Sequence, residues 1–112
     1  MSEHRSQKTV IVFRNPKGNE PFTDWLRKIR DPASRRRILK RILRLEQGYY
    51  GDTKPVGKGV FELRFFIGPG YWIYFAEDGE KIIVLLCGGD KKSQSRDIRK
   101  AQQYYQEYQT HE

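Results

Sequence analysis

Two hydrophobic periods divide the chain. The short β-branched run Thr9 to Phe13 predicts a first strand, and Asn15 to Gly18 reads as loop. Phe22, Trp25, Leu26 and Ile29 then fall at i, i+3, i+4 and i+7, which lays one apolar stripe along a short helix. Asp31-Pro32 restarts the chain, with Asp31 as N-cap and Pro32 at the first helical position. Ile38, Leu39, Ile42, Leu43 and Leu45 predict the buried face of a second helix that ends near Gly48. Two antiparallel helices joined by a tight turn are the natural result.

Beyond these helices the period drops to two. Val60 to Phe66 places Phe61, Leu63 and Phe65 on one face and Glu62 and Arg64 on the other. Gly68-Pro69-Gly70 turns the chain into Tyr71 to Phe75, where Trp72 and Tyr74 share a face opposite Tyr71, Ile73 and Phe75. Glu77-Asp78-Gly79-Glu80 predicts the next hairpin, since Asp-Gly suits the positive φ of a tight turn. Ile82 to Cys87 is apolar on both faces and is expected to be central. A last helix is predicted from an N-cap at Ser95, with Asp97 in its first turn and Ile98, Ala101, Tyr105 and Tyr108 as its inner stripe. The order βααβββα predicts an α+β fold in one domain over residues 1–112. A helical hairpin and a C-terminal helix would pack on a mainly antiparallel, four-stranded sheet. The pattern leaves the pairing of the first strand open.

Charge narrows the partners. With a formal net charge of +8 and a pI near 9.7, the domain is drawn to phosphate backbones, anionic membrane surfaces or an acidic protein. The longest apolar run, Ile82 to Cys87, is far short of the ~20 residues of a membrane span, so no membrane partner is expected. The opening MSEHRSQKTV is polar and lacks the apolar core of a signal peptide. The single cysteine, Cys87, excludes an internal disulfide and sits in an apolar run. A buried, reduced thiol in a cytoplasmic protein is the expectation.

The cations form two groups. Nine Lys or Arg residues lie between Arg27 and Arg44 against the one acid Asp31. Among them Arg35, Arg36, Arg37, Lys40, Arg41 and Arg44 decorate the second helix as a candidate RNA- or ribosome-binding ridge, because arginine is a planar bidentate phosphate ligand. A solvated helix face would look the same, and a partner protein could cover part of it. The second group is Lys54 and Lys58 in the loop before the second strand, Arg64 on that strand, and Lys91 and Lys92 after the fourth. A meander would bring these onto one sheet surface, as phosphoryl transfer requires. Trp72 is a candidate base-stacking residue, with core packing as the alternative.

Chemistry narrows by exclusion. His4 and His111 fall in the expected frayed ends, which disfavours a two-histidine ribonuclease. The sequence has no HExxH, DxD or Cys/His cluster, so neither metal nor other cofactor is expected. Attack of a 2′-hydroxyl on the adjacent phosphate remains. Arg64 would stabilise the phosphorane oxygens, and a lysine, its pKa depressed by neighbouring cations, would protonate the leaving 5′-oxygen.

Taken together, FTDWL, GDTKPVGKGVFELR, GPGYWIYF and IIVLLCGGDKKSQ resemble the RelE/ParE superfamily of toxin–antitoxin toxins from about Phe22 to Tyr108, especially the HigB-like addiction module killer proteins. The resemblance implies a compact toxin that cleaves mRNA in the ribosomal A site without metal. Its catalytic candidates are Arg64 of the ELR motif, Lys91 and Lys92 of GDKK, and Lys54 and Lys58 of the basic loop. It also implies a cognate antitoxin from the adjacent gene, often a helix-turn-helix protein, with operator DNA engaged only through that antitoxin. Relatives usually read GYR where this chain has Trp72, which removes one candidate phosphate ligand. Two rival readings stand beside the nuclease: a ParE-like inhibitor of DNA gyrase, and a non-enzymatic nucleic-acid binding module.

Overall fold

The computed structural model describes residues 7–65 and 70–111. The turn expected at Gly68-Pro69, as well as Phe66 and His4, lies outside them. The elements are β1 (Thr9–Val12), α1 (Pro21–Lys28), α2 (Pro32–Glu46), β2 (Thr53–Pro55), β3 (Val60–Phe65), β4 (Tyr71–Asp78), β5 (Ile82–Asp90), a 3-10 turn (Lys91–Ser93) and α3 (Gln94–Thr110). This is the expected α+β order with one addition. The short strand β2 makes the sheet five-stranded, in the order β1-β5-β4-β3-β2. Pro55 tolerates the edge position, where a missing N–H breaks no inner ladder.

All pairs are antiparallel except β1 with β5, which run parallel from Thr9↔Ile82 to Val12↔Leu85. That settles the open question of the first strand and makes β5 an interior strand, between β1 and β4, while β4 holds the middle of the sheet. Helices cover both faces. Phe22, Ile29, Ile38 and Leu45 of the hairpin pack on Leu63, Phe65, Ile73, Phe75, Ile83 and Leu85. Ala101 and Tyr105 of α3 pack on Val60, Tyr74, Ala76, Val84 and Leu86 across the sheet.

Two expectations need correction, and one polar position proves buried. Leu39 and Leu43 belong to the outer surface of α2, at 48% and 57% exposure; the buried stripe is narrower than the apolar pattern. Alternation sets Glu62 with Arg64 on the polar side of its strand, yet Glu62 is 1% exposed, because α3 covers that face. The cap at Ser95 is displaced upstream. The Asp90 carboxylate accepts from the backbone N–H groups of Lys92 and Ser93 at 3.0 and 3.2 Å, so helical structure starts directly after β5.

The end of β5 is pinched between helices. A Cβ on Gly88 would lie 2.3 Å from the Trp25 ring, and one on Gly89 would lie 1.8 Å from the Asp97 carboxylate. Only glycines let α1 and α3 approach from opposite faces here. The pinch delivers Lys91 and Lys92 at the rim of the sheet.

Candidate functional site

The α3-facing side of the sheet carries two informative rows. One runs Lys54↔Glu62↔Tyr74↔Cys87, the next Arg64↔Trp72↔Gly89. Arg64 therefore projects opposite Phe61, Leu63 and Phe65, as the period of two required.

From that row Arg64 leans over the sheet edge. Its Nε donates to Asp52 Oδ2 at 3.1 Å and its Nη2 to Oδ1 at 3.5 Å. The Arg64 backbone N–H also donates to the Asp52 carbonyl, at 3.0 Å, so the edge ladder fixes both groups. Both side chains remain nearly half exposed. Here Arg64 meets the second helix. Arg37, Lys40, Arg41, Arg44, Asp52, Arg64 and Phe65 line a cleft of about 370 Å³. Five cations thus face one carboxylate in a single groove. The Arg41 guanidinium sits 5.1 Å above the Phe65 ring and donates to the Tyr50 carbonyl at 3.3 Å. Burial lowers its pKa, although a guanidinium stays protonated.

The remaining candidates are distributed around Arg64. Lys54 shares its face, with Nζ 3.8 Å from Glu62 Oε1. Lys91 and Lys92 are exposed and follow Asp90, which pairs with Tyr71, itself paired with Phe65. Two strand spacings, about 10 Å, separate the backbones of Arg64 and Gly89, with Trp72 between them. Lys58 is not brought in. It occupies the β2–β3 turn with φ +56°, roughly 13 Å or more from Arg64 along β3. On α2, Arg35 turns away and donates to the Ile29 carbonyl at 3.2 Å, and Arg36 is exposed. Trp72 is half-buried, with its Nε1 enclosed, which makes it chiefly a packing residue.

Two supporting roles escaped the sequence reading. Asp52 orients Arg64. Glu62 accepts from the Tyr74 hydroxyl at 3.1 Å and from Gln94 Nε2 at 2.7 Å, so it ties β3 to β4 and to the start of α3. Burial, and then the charge of Glu62, pushes the Tyr74 phenol pKa upward, which keeps it a donor. No local signal could have found these pairs; the acid beside Arg64 in the ELR motif was the nearest hint. Cys87 is buried, and burial followed by the charge of Asp97 pushes its thiol up to about 12. It is inert packing, as expected. His111 closes α3.

A basic α+β domain with a helical hairpin and a C-terminal helix on a mostly antiparallel sheet is the RelE-like architecture. Comparison makes the relationship specific. Residues 24–106 match the model of the phage-derived Gp49-like proteins (DUF891), and the chain belongs to that family. It is a type II toxin–antitoxin toxin family related to the RelE/HigB type. An uncharacterized protein of Haemophilus influenzae is 42% identical over 86 residues, covering 77% of this chain and 87% of the relative. Among the described residues, no helix is long and apolar enough to cross a membrane.

Proposed function

We propose that this chain is a HigB-like type II toxin that arrests translation by cutting mRNA without a metal, on RNA presented by the ribosome. The observation that carries the reading is the position of Arg64. It lies in a cleft with Arg37, Lys40, Arg41 and Arg44, shares a sheet face with Lys54, and stands two strands from the Lys91–Lys92 rim. In the reaction a 2′-oxygen bonds to the adjacent phosphorus while the bond from phosphorus to the 5′-oxygen breaks. A 2′,3′-cyclic phosphate and a 5′-hydroxyl result. Arg64 and Lys54 hold the phosphorane oxygens as charge builds on them. One of Lys91 and Lys92 gives a proton to the leaving 5′-oxygen, and the 2′-hydroxyl proton passes to solvent. Lys58 lies too far away to share in this step. The α2 cations bind backbone phosphates and set salt dependence rather than chemistry. The ribosome contributes the alignment that a shallow cleft cannot. An antitoxin, with a helix-turn-helix protein of the adjacent gene the expected one, is the natural partner, and the cytoplasm is the compartment where this substrate occurs.

Primer extension in a translating extract tests the reading. The protein should produce cuts within codons that require ribosomes. Intact mRNA during growth arrest, together with altered DNA supercoiling, would transfer the assignment to gyrase inhibition.

A further inference from the structure

Two guanidiniums of the Arg64 cleft are backed by aromatic rings. Arg44 sits 5.3 Å above the Tyr49 ring, and Arg41 sits 5.1 Å above the Phe65 ring. The end of α2 fixes the first of these pairs. Gly48 takes φ +87°, and its N–H donates to the Leu45 carbonyl at 2.9 Å. The Tyr49 N–H then donates to the Arg44 carbonyl at 2.9 Å, so the chain folds back and returns the Tyr49 ring to Arg44. Tyr49 is 42% exposed, which makes the stack a surface feature and not part of the core. Arg44 lines the cleft and Tyr49 does not, so the ring stands behind the guanidinium, whose opposite face looks into the cleft.

This arrangement exceeds what phosphate binding requires. A phosphate takes guanidinium edges or an ammonium, and Arg37, Lys40 and Arg64 supply those in the same cleft. Arg41 already commits a donor to the Tyr50 carbonyl at 3.3 Å. Arg41 and Arg44 lie three residues apart on one helix; burial lowers the Arg41 pKa, and the Arg44 charge adds to that against the pull of Asp52. Two like charges side by side, each with a ring beneath, favour a flat, electron-rich surface above them. A nucleobase is such a surface, and guanidinium planes stack on unpaired bases. A duplex keeps its base faces inside its own stack, and a cleft of about 370 Å³ has room for one nucleotide rather than a pair. We propose that Arg44, held flat by Tyr49, is a stacking platform for one unpaired base of a single RNA strand whose phosphates lie on Arg37, Lys40 and Arg64. This rests on the mRNA reading and deepens it, because the cleft then requires unpaired RNA. Base stacking passes from Trp72, whose Nε1 is enclosed, to the C-terminal end of α2. Tyr49 acts through Arg44 and is a positioning residue.

The test measures binding rather than cutting. It uses the whole chain and a strand of about eight 2′-O-methyl nucleotides, A and C only, which can neither pair with itself nor be cleaved. An abasic strand with the same sugar–phosphate backbone, and the A/C strand annealed to its complement, are the comparisons. The intact strand should bind at least about five-fold tighter than the abasic one, the low end of what one stacked base contributes. The Arg44 Nε–H proton signal should move upfield with the intact strand and not with the abasic one, since only a base supplies a ring current. Arg44→Lys keeps the charge and removes the plane. It should bring the intact strand down to abasic affinity with an unchanged salt slope. Tyr49→Leu should weaken the intact strand alone, and Tyr49→Phe, which retains the ring, should not. Both positions are exposed, so folding does not confound the comparison. Equal affinity for intact and abasic strands, binding of neither at low salt, or the same Arg44 shift with the duplex overturns the proposal. So does an Arg44→Lys variant that binds the intact strand undiminished, or that weakens both strands alike. The shift and the affinity difference, found with mRNA uncut in the translating extract, would remove the nuclease reading alone. Cuts within codons, found with equal affinities, would remove the stacking alone.

Discussion

Arg64→Ala is expected to separate chemistry from folding, because the two contributions of this side chain differ several-fold. Arg64 and Asp52 are 43% and 44% exposed at the side chain, and their pairing distance is 3.1 Å. Exposed ion pairs of this kind contribute about 0.2–1 kcal/mol. The substitution should therefore lower the melting temperature by no more than about 4–8 °C. Loss of a preorganised donor to a developing oxyanion, by contrast, lowers rate by about 10²–10³, or roughly 2.7–4 kcal/mol. Initial cleavage rates from primer extension in a translating extract, set beside thermal denaturation of the same preparations, measure the two effects. Asp52→Ala is the control. It removes the same ion pair at the same small stability cost but leaves the guanidinium in place, so cleavage should persist. A fall of less than about three-fold in Arg64→Ala would refute the assignment of transition-state charge to this residue. Equal losses in Arg64→Ala and Asp52→Ala would show that the pair acts as scaffold.

Three further outcomes follow from the packing. Gly88→Ala drives a methyl into the Trp25 ring, at 2.3–2.6 Å from three ring atoms, and should destabilise by about 1–3 kcal/mol in urea denaturation; an unchanged midpoint would contradict the pinch. Glu62→Ala leaves the buried Tyr74 hydroxyl and the Gln94 amide without their acceptor and should cost about 1–3 kcal/mol for each group left unpaired, whereas Tyr74→Phe should cost less. The Cys87 thiol, raised from 9.0 to about 12, holds its proton in the folded state over a range in which the unfolded chain releases it. Its contribution is thus complete below about pH 9 and lost as pH rises from there toward 12, and the raised pKa values of Tyr50, Tyr74 and Tyr104 act in the same direction. Urea midpoints between pH 8 and 11 should fall with pH, and less steeply in Cys87→Ala.

Local periodicity carried most of the architecture. The stripe Phe22, Trp25, Leu26 and Ile29, the Asp31-Pro32 start, the alternation of β3 and β4 and the two-sided apolarity of β5 each reflect a period imposed by backbone geometry within a few residues. The same alternation placed Arg64 opposite Leu63 correctly. What sits across from a residue is decided by segments far away in the chain. Nothing near Glu62 announces that α3 will cover it, so a carboxylate on the polar side of the alternation is buried against Gln94, 32 residues on. The parallel seat of β1 on β5, the short β2 that carries Asp52 to Arg64, and the exposure of Leu39 and Leu43 share that origin. Sequence determined which residue types could bind a phosphate. Only the closing of the sheet edge against α2 decided that Arg64 would join Arg37, Lys40, Arg41 and Arg44 and leave Lys58 at the distant turn, because long-range packing, unlike periodicity, has no signature within a single turn or strand.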